Sequence, residues 1–523
     1  MSAEIQKSRK PHVIIILDGW GLAPVWGGNA IAMAKIVNFD TYAKKYPYTT
    51  LLASGPAVGL PENCPGNSEA GHLNIGAGEI VHQDQPLIDS EIGNGTFDTN
   101  EVLLGAFSHA VENNSNLHIM GLLSKTGTHA HINHLFALLK LANQQKFDRV
   151  YIHLFTDGRD SDSMSGIEML SEVNFQINAL KVGQVSSAIG RYFAMDRDNN
   201  WDRIEKAYNL LTVGTGTRYE SAGAIFTASY SAGKTDEFIE PSVVISKDRT
   251  PMFIGDNDSV IFFNFRSDRA KEITRAFLDP QLPEMPNRHM LKNLYFATFV
   301  IHADDQLAKQ AFYPPILTQT LAEVWSQHKL RQFHIAETEK YAHVTYFFNG
   351  GTEKPVEGED RLMIPSPKSV KTYDLMPEMS ARTVAEEVVA TLDKNIYDAM
   401  VINFANADMV GHTGDLKATI KAVEVVDECL GDVVEKVLAE NGTAYVFADH
   451  GNAEQMVSPK TGYPDTEHTC NPVPFMIINN QLDKSNLLLR KDGILASIAP
   501  TVLELMMPEF DYSNKQKSLI IKQ

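Results

Sequence analysis

Short apolar runs rich in β-branched residues recur along this chain, and segments with helical patterns separate them. The runs lie at residues 12–17, 117–123, 150–155, 260–265, 294–300, 400–404, 444–447 and 474–478. Residues 416–440 carry apolar side chains at a period of about 3.6 residues, which predicts one amphipathic helix docked on a sheet. Strands that alternate with helices are typical of α/β proteins with largely parallel sheets, so we predict an α/β fold.

Polar side chains collect where these predicted strands end. They are Asp18, Asp157, Arg159, Asp160, Arg266, Asp408, Asp449 and His450. Ligands of open α/β sheets bind beyond the carboxyl ends of the strands. We therefore expect these side chains to share one edge of a sheet and to form the active face.

The composition limits the location and the partners of the protein. A chain of 523 residues is long enough for several domains, and no apolar run approaches the roughly 20 residues needed to cross a bilayer. Three scattered cysteines, Cys64, Cys429 and Cys470, suit a reducing compartment and cannot form a thiolate metal site. A net charge of −19 disfavours binding to nucleic acids and anionic membranes. We expect a cytoplasmic protein without either partner.

Aspartate and histidine residues form a candidate metal-binding set. They are Asp18, Asp408, His412, Asp449, His450 and His468. Each is a weak signal alone: Asp18 followed by Gly19 is also typical of a turn, and Gly411 makes a regular helix linking Asp408 to His412 doubtful. Together, carboxylate and imidazole ligands suit Mn²⁺, Zn²⁺ or Co²⁺, and two such ions can clamp the oxygens of a phosphoryl transfer.

Ser68 lies in a glycine-containing turn, residues 65–72, ahead of a predicted helix. One interpretation is an N-cap, whose hydroxyl accepts a hydrogen bond from a free backbone N–H. The other is a nucleophile, because a helix N-terminus favours a phosphate and a metal can activate a hydroxyl. The two roles are compatible, and the sequence leaves both open.

The distribution of these residues along the chain predicts a domain inserted into another. Candidate metal ligands lie before about residue 82 and after about residue 340, whereas the clustered arginines lie mostly between them. We place a metal-binding, phosphatase-like domain at residues 1–82 and 316–523 and a substrate-binding domain at 86–312. Polar residues and prolines at 83–85 and 313–315 predict hinge linkers.

Several motifs recur in a recognisable order: Leu17-Asp18-Gly19-Trp20-Gly21, Pro65-Gly66-Asn67-Ser68-Glu69-Ala70-Gly71-His72, His129 with 131–134, Thr156-Asp157-Gly158-Arg159-Asp160, Gly190-Arg191-Tyr192, 264–269, 337–341, 403–412 and 448–452. Over nearly its whole length the chain resembles the cofactor-independent phosphoglycerate mutases, and more distantly the alkaline phosphatase superfamily. The resemblance implies an alkaline-phosphatase-like metal domain with a second α/β domain inserted into it. It also implies an isomerase that interconverts 3-phosphoglycerate and 2-phosphoglycerate through a phosphoserine at Ser68.

The resemblance further implies roles for individual residues. One metal would be held by Asp408, His412 and His468, and the other by Asp18, Ser68, Asp449 and His450. The substrate would contact His129, Arg159, Asp160, Arg191, Arg197, Arg266, Arg269 and Lys340. Guanidinium groups suit this role because they bind carboxylate and phosphate through two parallel hydrogen bonds. Lys340 would face the transferring phosphoryl group, and Asp160 would serve as general acid or base.

The implied cofactors are two Mn²⁺ ions, alternatively Mg²⁺, Co²⁺ or Zn²⁺, without 2,3-bisphosphoglycerate, in an enzyme that we expect to be a monomer. One loop departs from the family pattern: Lys125 and Thr126 stand where Asp-Gly is more common, and Thr128 stands where Val is common. The departure leaves the shape of the loop before His129 open.

Two rival functions use the same residues. A metal-dependent phosphatase, phosphodiesterase or phosphopentomutase would share the metal core, but a short carboxylated substrate best explains several clustered guanidiniums. A non-catalytic metal-binding or scaffold protein would not need every nucleophile, ligand and arginine position to be filled.

Overall fold

Two eight-stranded sheets, one in each of two compact units, organise the part of the chain that the structure describes. The structure is a computed structural model, and it describes residues 9–245, 252–302, 308–313, 317, 319–513 and 515–522. The first unit comprises residues 1–83 and 315–523, and the second unit comprises residues 84–314. Of the two predicted linkers, 83–85 is described throughout, whereas residues 314 and 315 lie outside the described residues.

The strands of both units are numbered in chain order. They are β1 (His12–Leu17), β2 (Tyr48–Leu52), β3 (Leu117–Leu123), β4 (Val150–Thr156), β5 (Gln184–Gly190), β6 (Thr217–Tyr219), β7 (Ser242–Val244), β8 (Ser259–Phe262), β9 (Tyr295–Thr298), β10 (Lys309–Gln310), β11 (Gln332–Glu337), β12 (Glu359–Ile364), β13 (Ala399–Phe404), β14 (Thr443–Phe447), β15 (Val473–Ile478) and β16 (Gly493–Ile494).

The α-helices are numbered in the same way. They are α1 (Ala30–Met33), α2 (Val37–Lys45), α3 (Ser68–Ala77), α4 (Asp84–Asn94), α5 (Glu101–Glu112), α6 (Ile132–Gln144), α7 (Gly166–Leu180), α8 (Arg191–Ala194), α9 (Trp201–Val213), α10 (Ala222–Ser231), α11 (Lys271–Leu278), α12 (Leu321–Gln327), α13 (Thr338–Ala342), α14 (Ala381–Asp393), α15 (Asn406–Gly411), α16 (Leu416–Ala439) and α17 (Ile498–Met506). Among the described residues, no helix is both long enough and apolar enough to span a membrane.

The first sheet has the strand order β12-β11-β13-β1-β14-β15-β2-β16, and its strands from β12 to β14 are parallel. The second sheet has the order β10-β9-β8-β3-β4-β5-β7-β6, and its strands from β10 to β5 are parallel. Central strands such as β13 and β14 are buried along their whole length, which explains their continuous apolar sequences. The predicted α/β class is confirmed.

The eight predicted strands correspond to β1, β3, β4, β8, β9, β13, β14 and β15, and the predicted helix 416–440 corresponds to α16. Helix α15 ends at Gly411 and His412 is its C-cap, so no regular helix continues through His412, although the His412 N–H donates to the Asp408 carbonyl oxygen at 2.9 Å. One expectation is wrong. The polar strand ends do not share one edge, because the strands before Asp157 and Arg266 belong to the second sheet.

Helix α3 lies close against neighbouring backbone because two of its residues lack a side chain. A Cβ added at Gly71 would come within 2.9 Å of the Asp449 Cβ, and one added at Gly76 would overlap the carbonyl oxygen of Phe348. Close packing at both glycines fixes the position of the helix that begins at Ser68.

We expect Gly76→Ala to lower the free energy of unfolding by about 1–3 kcal/mol, because the added methyl group meets rigid backbone. Gly93→Ala is the matched control, since Gly93 also lies in a helix and nothing lies within 4 Å of its added Cβ. Thermal unfolding followed by circular dichroism should show a loss for the first variant and no loss for the second. Equal melting temperatures would contradict the close-packing account.

Candidate metal and anion-binding sites

The carboxyl ends of four adjacent parallel strands bring charged residues together in the first unit. In the strand order β11, β13, β1 and β14, the chain continues into Lys340, Asp408, Asp18 and Asp449 respectively. Because these ends meet at the same edge of the sheet, residues more than 400 positions apart in the chain become neighbours. All four side chains are at most 5% exposed.

One group of candidate ligands consists of Asp408, His412 and His468. The His412 Nε2 and His468 Nε2 atoms are 2.9 Å apart, and they lie 3.3 and 3.1 Å from the Asp408 Oδ1 atom. The Nδ1 atom of each ring lies within hydrogen-bond distance of a backbone carbonyl oxygen, Thr466 O at 2.7 Å and Gly66 O at 2.8 Å. A carbonyl accepts only from a protonated Nδ1, so both Nε2 atoms of the neutral rings direct lone pairs at the same point.

A second group consists of Asp18, Asp449 and His450, whose candidate ligand atoms lie within 4.8 Å of one another. His450 Nε2 is 3.4 Å from Asp18 Oδ1 and 3.6 Å from Asp449 Oδ2. The Asp449 Oδ2 atom is buried without a hydrogen-bond partner among the described residues. A buried carboxylate oxygen in this state is costly unless something else binds it.

Ser68 lies next to the second group. It is the first residue of α3, and its Oγ lies 2.9 Å from His450 Nε2 and 3.3 Å from Asp18 Oδ1. The N-cap interpretation of Ser68 is wrong, because Asn67 is the N-cap and its side chain accepts a hydrogen bond from the backbone N–H of Ala70. The Ser68 hydroxyl is therefore available to other partners.

The ammonium of Lys340 joins Ser68 to both groups. Its Nζ donates hydrogen bonds to Ser68 Oγ at 2.6 Å, to Asp18 Oδ1 at 2.8 Å and to Asp408 Oδ2 at 2.6 Å. Burial alone would lower the pKa of Lys340, but the carboxylates of Asp18 and Asp408 outweigh it and raise the pKa above its usual value. With these carboxylates as its partners, Lys340 is protonated at neutral pH.

The buried charges of this site do not balance without further cations. Three carboxylates, Asp18, Asp408 and Asp449, face the single ammonium of Lys340. Burial favours a low pKa for His450, but the carboxylates of Asp449, Asp18 and Asp408 outweigh it and raise the pKa to about 9. The excess negative charge, the converging imidazole lone pairs and the Asp449 oxygen that accepts no hydrogen bond from the described residues all fit divalent cations bound by oxygen and nitrogen.

The second unit gathers cationic groups at the corresponding edge of its sheet. The carboxyl ends of β8, β3, β4 and β5 are followed by the predicted substrate contacts Arg266, Arg269, His129, Arg159, Asp160 and Arg191. Arg191 is buried, and its Nη1 donates to Asp157 Oδ1 at 2.7 Å and to Asp160 Oδ2 at 2.5 Å. This double ion pair fixes one guanidinium at the edge.

His129 and the remaining arginines surround this pair. His129 is buried, with Nε2 lying 3.7 Å from Asp160 Oδ2 and Nδ1 lying 3.6 Å from Asp268 Oδ1. Burial and the charge of Arg191 lower the pKa of His129 to about 4, so the ring is neutral at physiological pH. The loop before His129 is the segment that differs from the family pattern. Its Ser124 and Thr126 hydroxyls are 3.0 Å apart and Lys125 forms an ion pair with Glu172, so local contacts stabilise the loop.

The structure thus brings the predicted site residues together in two sets. The predicted metal ligands and Lys340 share the first unit, whereas His129 and the five arginines share the second unit with Asp160.

Several residues without a predicted ligand or substrate-binding role hold these sets in place. Asn403 Nδ2 donates to Asp18 Oδ2 at 2.8 Å, Asn452 Nδ2 donates to Asp408 Oδ1 at 3.0 Å, and His72 Nδ1 lies 2.9 Å from the Ser68 carbonyl oxygen. Asp157 and Asp268 neutralise arginines in the second unit. Only sequence position pointed to Asp157 and Asp268, because Asp157 follows a predicted strand and Asp268 lies between two candidate arginines.

Comparisons with known proteins agree with this arrangement. The family model of the metalloenzyme superfamily matches residues 10–509, which fits an alkaline-phosphatase-like metal domain. A 2,3-bisphosphoglycerate-independent phosphoglycerate mutase from Clostridium kluyveri is 50% identical over 513 residues, covering 98% of this chain and 99% of the relative. The enzyme of the same name from Chloroflexus aurantiacus is 47% identical over 536 residues, with coverage of 98% and 99%.

A solved structure agrees as well. Crystal structures of Leishmania mexicana phosphoglycerate mutase at low cobalt concentration match with a TM-score of 0.61 and 32% identity, covering 98% of both chains. The predicted use of divalent metal is confirmed at the level of the family. The chain belongs to the family of 2,3-bisphosphoglycerate-independent phosphoglycerate mutases within the metalloenzyme superfamily.

Proposed function

We propose that this protein interconverts 3-phosphoglycerate and 2-phosphoglycerate through a phosphoserine at Ser68, in glycolysis and gluconeogenesis. One observation carries the proposal: the Ser68 Oγ accepts a hydrogen bond from a buried ammonium, Lys340, between two sets of converging metal ligands. A hydroxyl in such surroundings can become a nucleophile, and the same cation offsets charge on a phosphoryl group. Family membership supports the identity of the substrate.

Two Mn²⁺ ions are the proposed cofactors, with Mg²⁺, Co²⁺ or Zn²⁺ as alternatives. Asp408, His412 and His468 would hold one ion, and Asp18, Asp449 and His450 with Ser68 would hold the other. When bound, they would lower the pKa of the Ser68 hydroxyl and neutralise phosphate charge. Mixed carboxylate and imidazole ligands support this assignment.

The guanidinium cluster of the second unit is the proposed binding site for the anionic groups of phosphoglycerate. Arg159, Arg197 and Arg266 have half-exposed side chains, so their N–H groups can reach a ligand. Guanidinium groups bind carboxylate and phosphate through paired hydrogen bonds, which supports a short substrate that carries both. Buried Arg191, already bound by two carboxylates, would orient Asp160 and His129 around the substrate hydroxyls.

In the first half-reaction, Ser68 gives its hydroxyl proton to solvent, and its Oγ forms a bond to phosphorus as the bond between phosphorus and the glycerate oxygen breaks. The departing oxygen takes up a proton, and Asp160 is the proposed group that supplies it. In the second half-reaction, the other glycerate hydroxyl gives its proton to Asp160 and attacks phosphorus as the bond between phosphorus and Oγ breaks, and Ser68 Oγ takes a proton back from solvent. Lys340 donates hydrogen bonds throughout, and no 2,3-bisphosphoglycerate is consumed.

Some expectations stay predictions. The three cysteines are free, which supports a reducing compartment such as the cytoplasm. We also propose that the protein is a monomer and that residues 83–85 and 313–315 act as hinges.

We expect Ser68→Ala to lower kcat by at least about 10³-fold, because the variant lacks the atom that accepts the phosphoryl group. The measurement is a coupled assay with 3-phosphoglycerate and Mn²⁺, without 2,3-bisphosphoglycerate, together with an assay of released phosphate. Release of phosphate without formation of 2-phosphoglycerate by the wild-type protein would favour the rival phosphatase function.

Ser171→Ala is the matched control, because Ser171 is an exposed helical serine whose hydroxyl donates to the carbonyl oxygen of Ile167. It should retain full activity, and both variants should keep the wild-type melting temperature. A Ser68→Ala variant with normal fold and normal mutase activity would refute the covalent route.

We expect metal binding to release protons near neutral pH. The pKa of His450 is raised to about 9 and that of His412 is raised by Asp408, yet both rings must be neutral to bind a metal. The apparent affinity for Mn²⁺ should therefore rise at least about tenfold per pH unit between pH 7 and 9 and level off above that range. Titration calorimetry in buffers of different ionisation enthalpy measures the released protons, and a pH-independent affinity would contradict the assignment of His450 as a ligand.

A further inference from the structure

Five guanidinium groups of the second unit lie near one another, and among the described residues four carboxylates form ion pairs with them. The guanidiniums belong to Arg159, Arg191, Arg197, Arg266 and Arg269, and the carboxylates belong to Asp157, Asp160, Glu237 and Asp268. A region that binds an anionic substrate needs positive charge, so the carboxylates that lie within 3.2 Å of its guanidiniums require an explanation. Glu237 is more distant, at 3.9 Å from Arg159 Nη1.

Arg191, whose side chain is only 2% exposed, explains the presence of Asp157 and Asp160 in this cationic region. Two carboxylates compensate this buried guanidinium, and Asp157 also accepts hydrogen bonds from the backbone N–H groups of Arg159 and Asp160. Removal of either carboxylate would leave a buried charge poorly compensated, so these two residues are part of the framework.

Asp268 differs because the two guanidiniums that it binds need no compensation. Its third neighbour is the neutral ring of His129, whose Nδ1 lies 3.6 Å from Asp268 Oδ1. Asp268 Oδ2 accepts a hydrogen bond from Arg197 Nη1 at 3.0 Å, and Asp268 Oδ1 lies 3.2 Å from Arg266 Nε. Both arginines are about half exposed and can be solvated by water. Burial disfavours its charge, but Arg266 and Arg197 outweigh burial and lower the pKa of Asp268, so the carboxylate is ionised at neutral pH.

Arg269 differs from Arg197 and Arg266 because its guanidinium binds a backbone carbonyl oxygen. Its Nη1 donates to the carbonyl oxygen of Met195 at 3.2 Å, and no carboxylate lies within ion-pair distance of it in the described part of the chain. Burial and the neighbouring Arg197, Arg191 and Arg159 lower its pKa, so Arg269 lacks negative charge that an incoming anion would supply.

We propose that Asp268 is an internal counter-ion that occupies Arg197 and Arg266 and thereby weakens the binding of phosphoglycerate. This inference rests on the proposed function and identifies an affinity-determining residue for it. Half-exposed ion pairs contribute little to orientation, whereas a carboxylate beside a multiply charged anion repels it directly. Removal of the Asp268 charge should therefore tighten binding.

Weaker binding of phosphoglycerate is useful in this reaction. Substrate and product carry the same charges, so an uncompensated guanidinium cluster would bind both tightly and release the product slowly. Binding energy that is equal for substrate and transition state lowers KM without raising kcat. Asp268 would limit the binding energy that substrate and transition state share, and it would keep product release fast.

The test compares Asp268→Asn, which removes the charge at constant shape, with Asp268→Glu, which keeps it. Titration calorimetry on the Mn²⁺-loaded proteins measures Kd for 3-phosphoglycerate and, separately, for inorganic phosphate. We expect Asp268→Asn to lower Kd about 3-fold to 10-fold at low ionic strength, with a smaller effect at high salt. KM should fall by a similar factor without an increase in kcat, and Asp268→Glu should resemble the wild type.

Asp279→Asn is the matched control, because Asp279 also forms an ion pair with an arginine, Arg275, outside this cluster. It should leave Kd unchanged. Unchanged or weaker binding by folded Asp268→Asn would overturn the counter-ion role. Should Asp268→Asn not fold, Asp268→Ala must show the same tightening, and its failure to do so would overturn the role equally. Absence of 3-phosphoglycerate binding by the wild type would refute the proposed function instead, while the ratio measured with inorganic phosphate still decides the role of Asp268.

Discussion

Three carboxylates buried around one ammonium are the constraint on which the first unit depends. Asp18, Asp408 and Asp449 follow adjacent parallel strands and lose nearly all contact with water, and Lys340 supplies a single positive charge among them. Burial of unpaired charge is expensive, and even with His450 protonated the three carboxylates outnumber the two cationic groups, so the site favours additional cations. The surrounding amides of Asn403 and Asn452 hold the carboxylates in fixed orientations, which prepares the site for ions with defined geometry.

The two sheets share the same geometry but present groups of opposite charge. In each unit, parallel strands deliver side chains to the edge formed by their carboxyl ends. The first edge presents carboxylates and imidazoles, which bind metal ions, and the second presents guanidiniums, which bind anions. In the second unit, carboxylates divide the guanidiniums into those fixed by the framework, such as Arg191, and those left for a ligand, such as Arg269.

Much of the fold could be predicted from sequence, because buried strands and amphipathic helices carry periodic apolar patterns. Helix α16 is an example, since its apolar residues repeat at the helical period over 24 residues. The cap of α3 could not be assigned between Asn67 and Ser68, because both residue types cap helices. The division of strand ends between two sheets depends on strand pairing, which local patterns do not encode. Asp268 gives no signal of its own, because its role depends on the arginines that folding brings beside it.

The central claim is that two divalent cations bind among the buried carboxylates and imidazoles around Ser68. The most direct measurement is anomalous diffraction at the manganese absorption edge from crystals of the Mn²⁺-loaded protein. The account predicts two peaks, one among Asp408, His412 and His468 and one among Asp18, Asp449 and His450. Diffraction that shows no manganese within either group, or ions bound only elsewhere, would contradict it.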